Sequence, residues 1–168
     1  MMVLRGLLYP NKWDPVTDVD RDDAFLAGDN VSELRTTKNM LSVWLANSQE
    51  DIDDAMVAMA LNKDNPCKMV AFLMDEKELE NIEIETVNNE KGKALGADDT
   101  ILQKHRNLVE LDYWRLGYLT EYMIKLSKDR QRQVILTKGE VVELLNKYKG
   151  TKISADKINE KLRSKLNW

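Results

Sequence analysis

The hydrophobic residues of this chain fall in short blocks whose period changes along the sequence. Near the start, VLRGLLY is an apolar run of strand length halted by Pro10, and MLSVWLA, from Met40 to Ala46, is a β-branched and aromatic run of similar length. PNKWDPVTDVDRDD between them has the Pro and Asp content of a loop. SQEDIDDAMVAMALN then places Ile52, Ala55, Met56, Met59 and Ala60 on one helical face. Ser48 stands as N-cap with Asp51 at the capping-box position, while Glu50, Asp51, Asp53 and Asp54 set negative charge at the positive end of the helix dipole. The pattern predicts a helix over 48–62. Pro66 ends that segment, and KMVAFLM over 68–74 is strand-like again. DEKELEN has the length of one helical turn, and IEIETV alternates Ile82 and Ile84 with Glu83 and Glu85 as on a half-exposed strand. Strand, helix, strand fits a right-handed crossover or an antiparallel arrangement equally well.

NNEKGKALGADD is a polar, Gly-bearing seam, and beyond Asp99 the period reads as helical throughout. From Thr100 to about Ser127, one apolar row passes through Val109, Leu116, Leu119, Met123 and Leu126, and a second through Leu108, Leu111, Tyr118 and Tyr122. Gly117 inside this run suits close helix packing or a kink. In TKGEVVELLNKY, Thr137 and Glu140 form a capping box, Leu136 and Val141 a hydrophobic staple, and Gly150 a left-handed stop. ISADKINEKL predicts a last helix with Ser154 as N-cap and Ile153 and Ile158 as its staple. The fold class is therefore α+β. A small sheet with a packed helix is expected in an acidic N-terminal part, residues 1–97, and an all-helical C-terminal part over 98–168, the two standing apart or forming one compact domain.

Composition narrows the class. Of 168 residues, 43% are hydrophobic and 32% charged, as in a soluble globular protein with a real core. Arg5 and Gly6 interrupt MMVLRGLLYP, so no secretory segment is expected. No run approaches the roughly 18 apolar residues of a membrane span, so no membrane partner is expected either. Cys67 is the only cysteine, which excludes an internal disulfide and points to a reducing, cytoplasmic setting. The net charge of −4 is unevenly spread: residues 130–168 hold ten Lys/Arg against four Asp/Glu, a balance of +6, which leaves −10 for residues 1–129. Such polarity serves a nucleic acid or acidic partner, or the attraction of the two halves for each other.

Candidate chemistry is sparse. The two terminal helices have roughly the spacing of a helix-turn-helix. The second would present Lys157, Asn159, Lys161, Arg163 and Lys165, the bases to phosphates and Asn159 to an adenine edge. The plainer reading is the solvated face of an amphipathic helix. Asp18, Asp20 and Asp22 alternate as in the first half of an EF-hand loop, but Asp23 stands where that loop needs Gly, so a divalent cation or a solvated acidic loop are both open. His105 is the only histidine, which removes every two-histidine metal motif. On a helix from Thr100, His105, Asp112 and Arg115 lie near one face, either as a satisfied polar cluster or as a general base with its orienting groups. Thr36, Thr37 and Ser42 with Arg35 and Lys38 suit an anion, without the glycines of a phosphate cradle. Of the four tryptophans, Trp13 and Trp168 are the expected surface anchors.

No complete catalytic set emerges and no cofactor is implied. The favoured function is a non-catalytic cytoplasmic binding or regulatory protein with a macromolecular partner, a protein or, at the basic terminal helices, nucleic acid. The alternative is an enzyme of nucleotide or nucleic-acid chemistry using the Asp18–Asp23 loop or the His105, Asp112 and Arg115 cluster. Binding implies an exposed apolar or basic patch. Catalysis implies that two or more of those residues converge on one pocket.

Overall fold

The computed structural model describes residues 1–8, 13, 34 and 36–168. Its elements are β1 (Met2–Gly6), β2 (Leu41–Leu45), α1 (Gln49–Leu61), β3 (Met69–Asp75), α2 (Glu76–Asn81), β4 (Glu85–Val87), α3 (Asp99–Leu102), β5 (His105–Val109), α4 (Tyr113–Lys128), β6 (Gln133–Leu136), α5 (Lys138–Tyr148) and α6 (Glu160–Leu166). The strands form one sheet in the order β4-β5-β2-β1-β3-β6, antiparallel at every pairing. Both β2 and β3 run antiparallel to the β1 that separates them, so they are parallel to each other. Helix α1 thus makes a crossover with a strand inserted beneath it. The α+β class holds, and strands from both sides of residue 97 share the sheet.

Both faces of the sheet are covered, which explains the near-continuous apolar run of β3. On one face, Leu4, Trp44 and Ala71 pack against α1, Ile101, Leu145, Ile153 and Leu162. On the other, Val3, Val43, Phe72 and Met74 pack against Leu79, Leu119, Met123 and Leu126. Alternation along each strand sorts its side chains between these two cores. Among the described residues, no helix is long and apolar enough to cross a membrane.

Several local expectations are met as drawn. Ser48 caps α1 by accepting from the Asp51 amide at 3.1 Å, and Thr137 with Glu140 forms the capping box of α5. Others need correction. The C-terminal part is largely helical, but β5 and β6 interrupt it. Leu108 and Leu111 sit three apart and so mimic a helical row. In the structure Leu108 lies on a strand and Leu111 beyond a left-handed turn at Glu110 (φ 54°), and both reach the same core. The last helix begins at Glu160, not after Ser154, because Asn159 is non-helical (φ −52°, ψ 129°) and caps the Lys161 amide at 2.9 Å. Ile153 and Ile158 are buried all the same. Helix α4 runs unbroken past Gly117, beside which there is open space rather than close packing. Trp13 is buried against Phe72, and Trp168 is half-buried with its indole N–H on Asn146 Oδ1 at 2.8 Å.

The charge polarity of the chain is spent in part inside the molecule. Among the described residues, four C-terminal bases pair with acids of the first part: Arg132 with Glu78, Lys147 with Asp53, Lys152 with Glu50 and Asp54, and Lys161 with Asp64. The centre of this network is Asp54, fully buried, with Lys104 Nζ at 2.6 Å and Lys152 Nζ at 2.9 Å. Lys104 also meets Asp51 at 2.7 Å. Partial burial opposes the charge on Asp51, but the Lys104 ammonium outweighs it and holds the carboxyl below its ordinary range.

Removing one member of a buried ion cluster leaves its partners desolvated and under-compensated, so Asp54→Ala is expected to lower the unfolding free energy by about 3 kcal/mol in a urea titration. The depressed Asp51 carboxyl adds stability that is present above its unfolded value near 3.8 and is lost as pH falls through the lower folded value. The urea midpoint of Lys104→Met should therefore depend less on pH below 4 than that of the parent chain.

Candidate interaction site

Helix α4 starts at a corner that its own sequence builds. Glu110 turns the chain with φ 54°, and Asp112 caps the helix by accepting from the Arg115 amide at 2.8 Å. The Arg115 guanidinium returns to Asp112 at 3.0 Å and donates through Nε to the Glu83 carbonyl at 2.8 Å. Asp112 and Arg115 are thus joined, as their spacing implied, but they form a helix-capping corner at the surface rather than a buried cluster.

That corner fixes the outward direction of the next side chains. Tyr113 is 83% exposed and Trp114 71%, their rings edge-on at 5.8 Å. Tyr118, one turn beyond Trp114, is 47% exposed. Gly117 leaves open space beside them although glycine costs a helix about 1 kcal/mol relative to alanine. The opposite side of α4 buries Leu119, Met123 and Leu126. There the Tyr122 hydroxyl donates to Glu78 at 2.6 Å and accepts from the Asp75 amide at 3.0 Å. Burial, reinforced by Glu78, pushes the Tyr122 phenol well above its ordinary range. The helix is therefore pinned firmly to the sheet while three aromatic rings face solvent.

His105 lies elsewhere. It opens β5 at the end remote from Asp112, on the α1 side of the sheet, with its ring edge-on to Trp44 at 5.2 Å. Its Nδ1 is 3.2 Å from the Glu90 carbonyl. It borders a cavity of about 610 Å³ that neither Asp112 nor Arg115 lines. Of the terminal residues, Asn159 and Lys161 are engaged by Asp64 at 2.7 and 3.0 Å. Lys157 lies exposed in the turn before α6, Lys165 is exposed on it, and Arg163 is half-buried. Asp18, Asp20, Asp22 and Arg35 lie outside the described residues. Among those described, no group of three or more His, Cys, Asp or Glu is placed to hold a metal ion.

Tyr113 and Trp114 are not legible as a site from spacing alone, which shows the buried row of a helix but not its start, and the start at Tyr113, thirteen residues beyond Thr100, sets which residues face outward. Asp112, as an N-cap residue type, is the mark of that start in the sequence. Comparison with protein-family models, curated proteins and solved structures finds no match to this chain.

Burial lowers the basicity of His105 below its ordinary value of 6.5 despite the nearby Glu90 carbonyl and carboxylate. Protonation therefore favours the unfolded chain, and the stability this adds is present above 6.5 and lost as pH falls through the folded value. As the only histidine, its ring protons should give one NMR titration with a midpoint below 6.5; a midpoint at or above that value contradicts the burial described.

Proposed function

We propose that this chain is a non-catalytic binding protein that docks a protein partner through the first two turns of α4. The observation that supports this is the exposure of Tyr113, Trp114 and Tyr118 on one surface, when Trp13 and Trp44 are buried. A solvent-facing tryptophan beside two tyrosines has the composition of an interface hot spot: large, rigid apolar area with polar handles. The open strip at Gly117 gives a partner side chain access to the helix backbone between the rings.

The setting of the patch favours protein over nucleic acid. Exposed Glu110 and Glu121 lie next to the aromatic positions along the chain, with Asp112 paired to Arg115, and their charge disfavours phosphates while suiting a basic rim on a partner. The nucleic-acid reading of the terminal segment has less behind it. Asn159 and Lys161 are held by Asp64, and α6 is only seven residues long. Catalysis by His105 with Asp112 and Arg115 has less still, since His105 stands at the far end of β5 from the other two. A cytoplasmic setting belongs to the same proposal and rests on the use of a single cysteine.

The test is capture from a cell extract with a photo-crosslinking residue in place of Tyr113, in the parent chain and in Trp114→Ala/Tyr118→Ala. Both positions are surface ones, so the double variant should keep its unfolding free energy within about 0.5 kcal/mol per site. We expect one or a few protein adducts from the parent chain that fall at least tenfold in the variant. Equal adducts from both chains would remove α4 as the docking surface.

A further inference from the structure

On the α1 side of the sheet, the ends of α1 and β1, the starts of β2, β3 and β5, and Glu90, Lys91 and Lys93 of the strap from Asn88 to Lys93 line the cavity that His105 borders. At about 610 Å³ it falls within the range of about 300–1,000 Å³ typical of small-molecule sites. Gly92 brings the strap down: a Cβ there would stand 2.3 Å from the Trp44 ring, and the Gly92 amide donates to the Leu102 carbonyl at 2.9 Å. Asn107, buried on the floor, donates to Asn89 Oδ1 at 2.7 Å and to Glu90 Oε1 at 3.2 Å. The strap is thus tied to β5 at Asn89 and Glu90 and to the end of α3 at Gly92.

The charge of the lining is opposite to that of the chain. Among its described residues are five bases, Arg5, Lys38, Lys63, Lys91 and Lys93, and one acid, Glu90, in a protein whose net charge is −4. Lys91 pairs with Asp99 at 3.1 Å, but both are well exposed and that pair is weak. Among the described residues, Lys38, Lys63 and Lys93 have no carboxylate within ion-pair distance. Lys63 and Lys93 come from separate segments joined where the Asn62 amide side chain donates to the Lys93 carbonyl at 2.9 Å. A gathering of unpaired ammonium groups around a concave surface is a site for an anion.

The floor adds a second requirement. The Glu90 carbonyl can only accept, so the 3.2 Å contact assigns the proton to His105 Nδ1 and leaves Nε2 with its lone pair. Among the described residues Nε2 has no hydrogen-bond partner, and His105, 95% buried, is one of the residues that line the cavity. Asn107 spends both amide hydrogens on the strap, so its oxygen is what it can offer a ligand. Acceptors below and cations at the rim select a molecule that carries hydroxyl donors at one end and an anionic group at the other. Trp44 and Met59 supply an apolar wall between.

We propose that this cavity binds a sugar phosphate, free or as part of a nucleotide, with the phosphate on Lys63 and Lys93 and sugar hydroxyls donating to His105 Nε2 and Asn107. The site is independent of the α4 surface, and its failure would leave the docking proposal untouched. The ring signal of the single histidine reports occupancy directly in the full-length chain. Ribose 5-phosphate, adenosine and uridine monophosphates, ribose and inorganic phosphate are titrated separately. We expect saturable shifts of the His105 signal with the sugar phosphates at millimolar affinity or better, and at least tenfold weaker ones with ribose or phosphate alone. A nucleotide binding tenfold tighter than ribose 5-phosphate would identify the nucleotide as the source, and the reverse order the free sugar phosphate. Lys63→Gln/Lys93→Gln should weaken binding at least tenfold, while Lys161→Gln/Lys165→Gln, outside the cavity, should not change it. No shift at about 10 mM of any ligand would overturn the proposal. So would inorganic phosphate binding as well as the sugar phosphates, or the two double variants behaving alike.

Discussion

Asp54 is a carboxylate with no exposed surface, and two ammonium groups from distant parts of the chain converge on it. Taking those charges out of water costs more than any one contact returns, so the arrangement persists only while all members are in place. Lys104 reaches it from the residue before β5, and the Lys104 carbonyl accepts from the Leu45 amide at 2.8 Å, which sets where β5 begins to pair with β2. Lys152 reaches it from the turn after α5, where the Tyr148 ring also lies against the cluster. Burial and Asp54 push the Tyr148 phenol up to about 12. One side chain on α1 therefore holds the head of β5 and the C-terminal segment to the same core.

What was legible in the sequence follows from this. Helix α1 announced itself because its cap, its acidic first turn and its apolar face are all local. The charge imbalance between the two ends was legible as well, and its plainer reading, mutual attraction, describes the ion pairs of Lys147, Lys152 and Lys161. Asp54 looked like one more acid of a helix first turn. Nothing in its neighbours marks it as the buried member, because its partners lie 50 and 98 residues away. The strand β5 was hidden for a related reason: His-Arg-Asn-Leu-Val carries no strong alternation, and pairing with β2 and β4 makes it a strand.

The two candidate surfaces meet through that strand. His105 at its head faces the cavity on the α1 side, and the turn after its last residue caps α4, which carries Tyr113 and Trp114 outward on the other side. A displaced β5 would disturb both. The same holds for the strap, whose Asn89 and Glu90 bind Asn107 in the middle of the strand.

The claim that Asp54 sets the position of β5 and of the C-terminal segment is tested most directly by amide hydrogen exchange of Asp54→Asn, a change of charge at nearly constant shape. The expected result is a joint loss of protection at the amides of β5 and at Ile153, with β3 and the second half of α4 keeping theirs. Protection lost only in the first turn of α1, or lost evenly through the whole sheet, would contradict it.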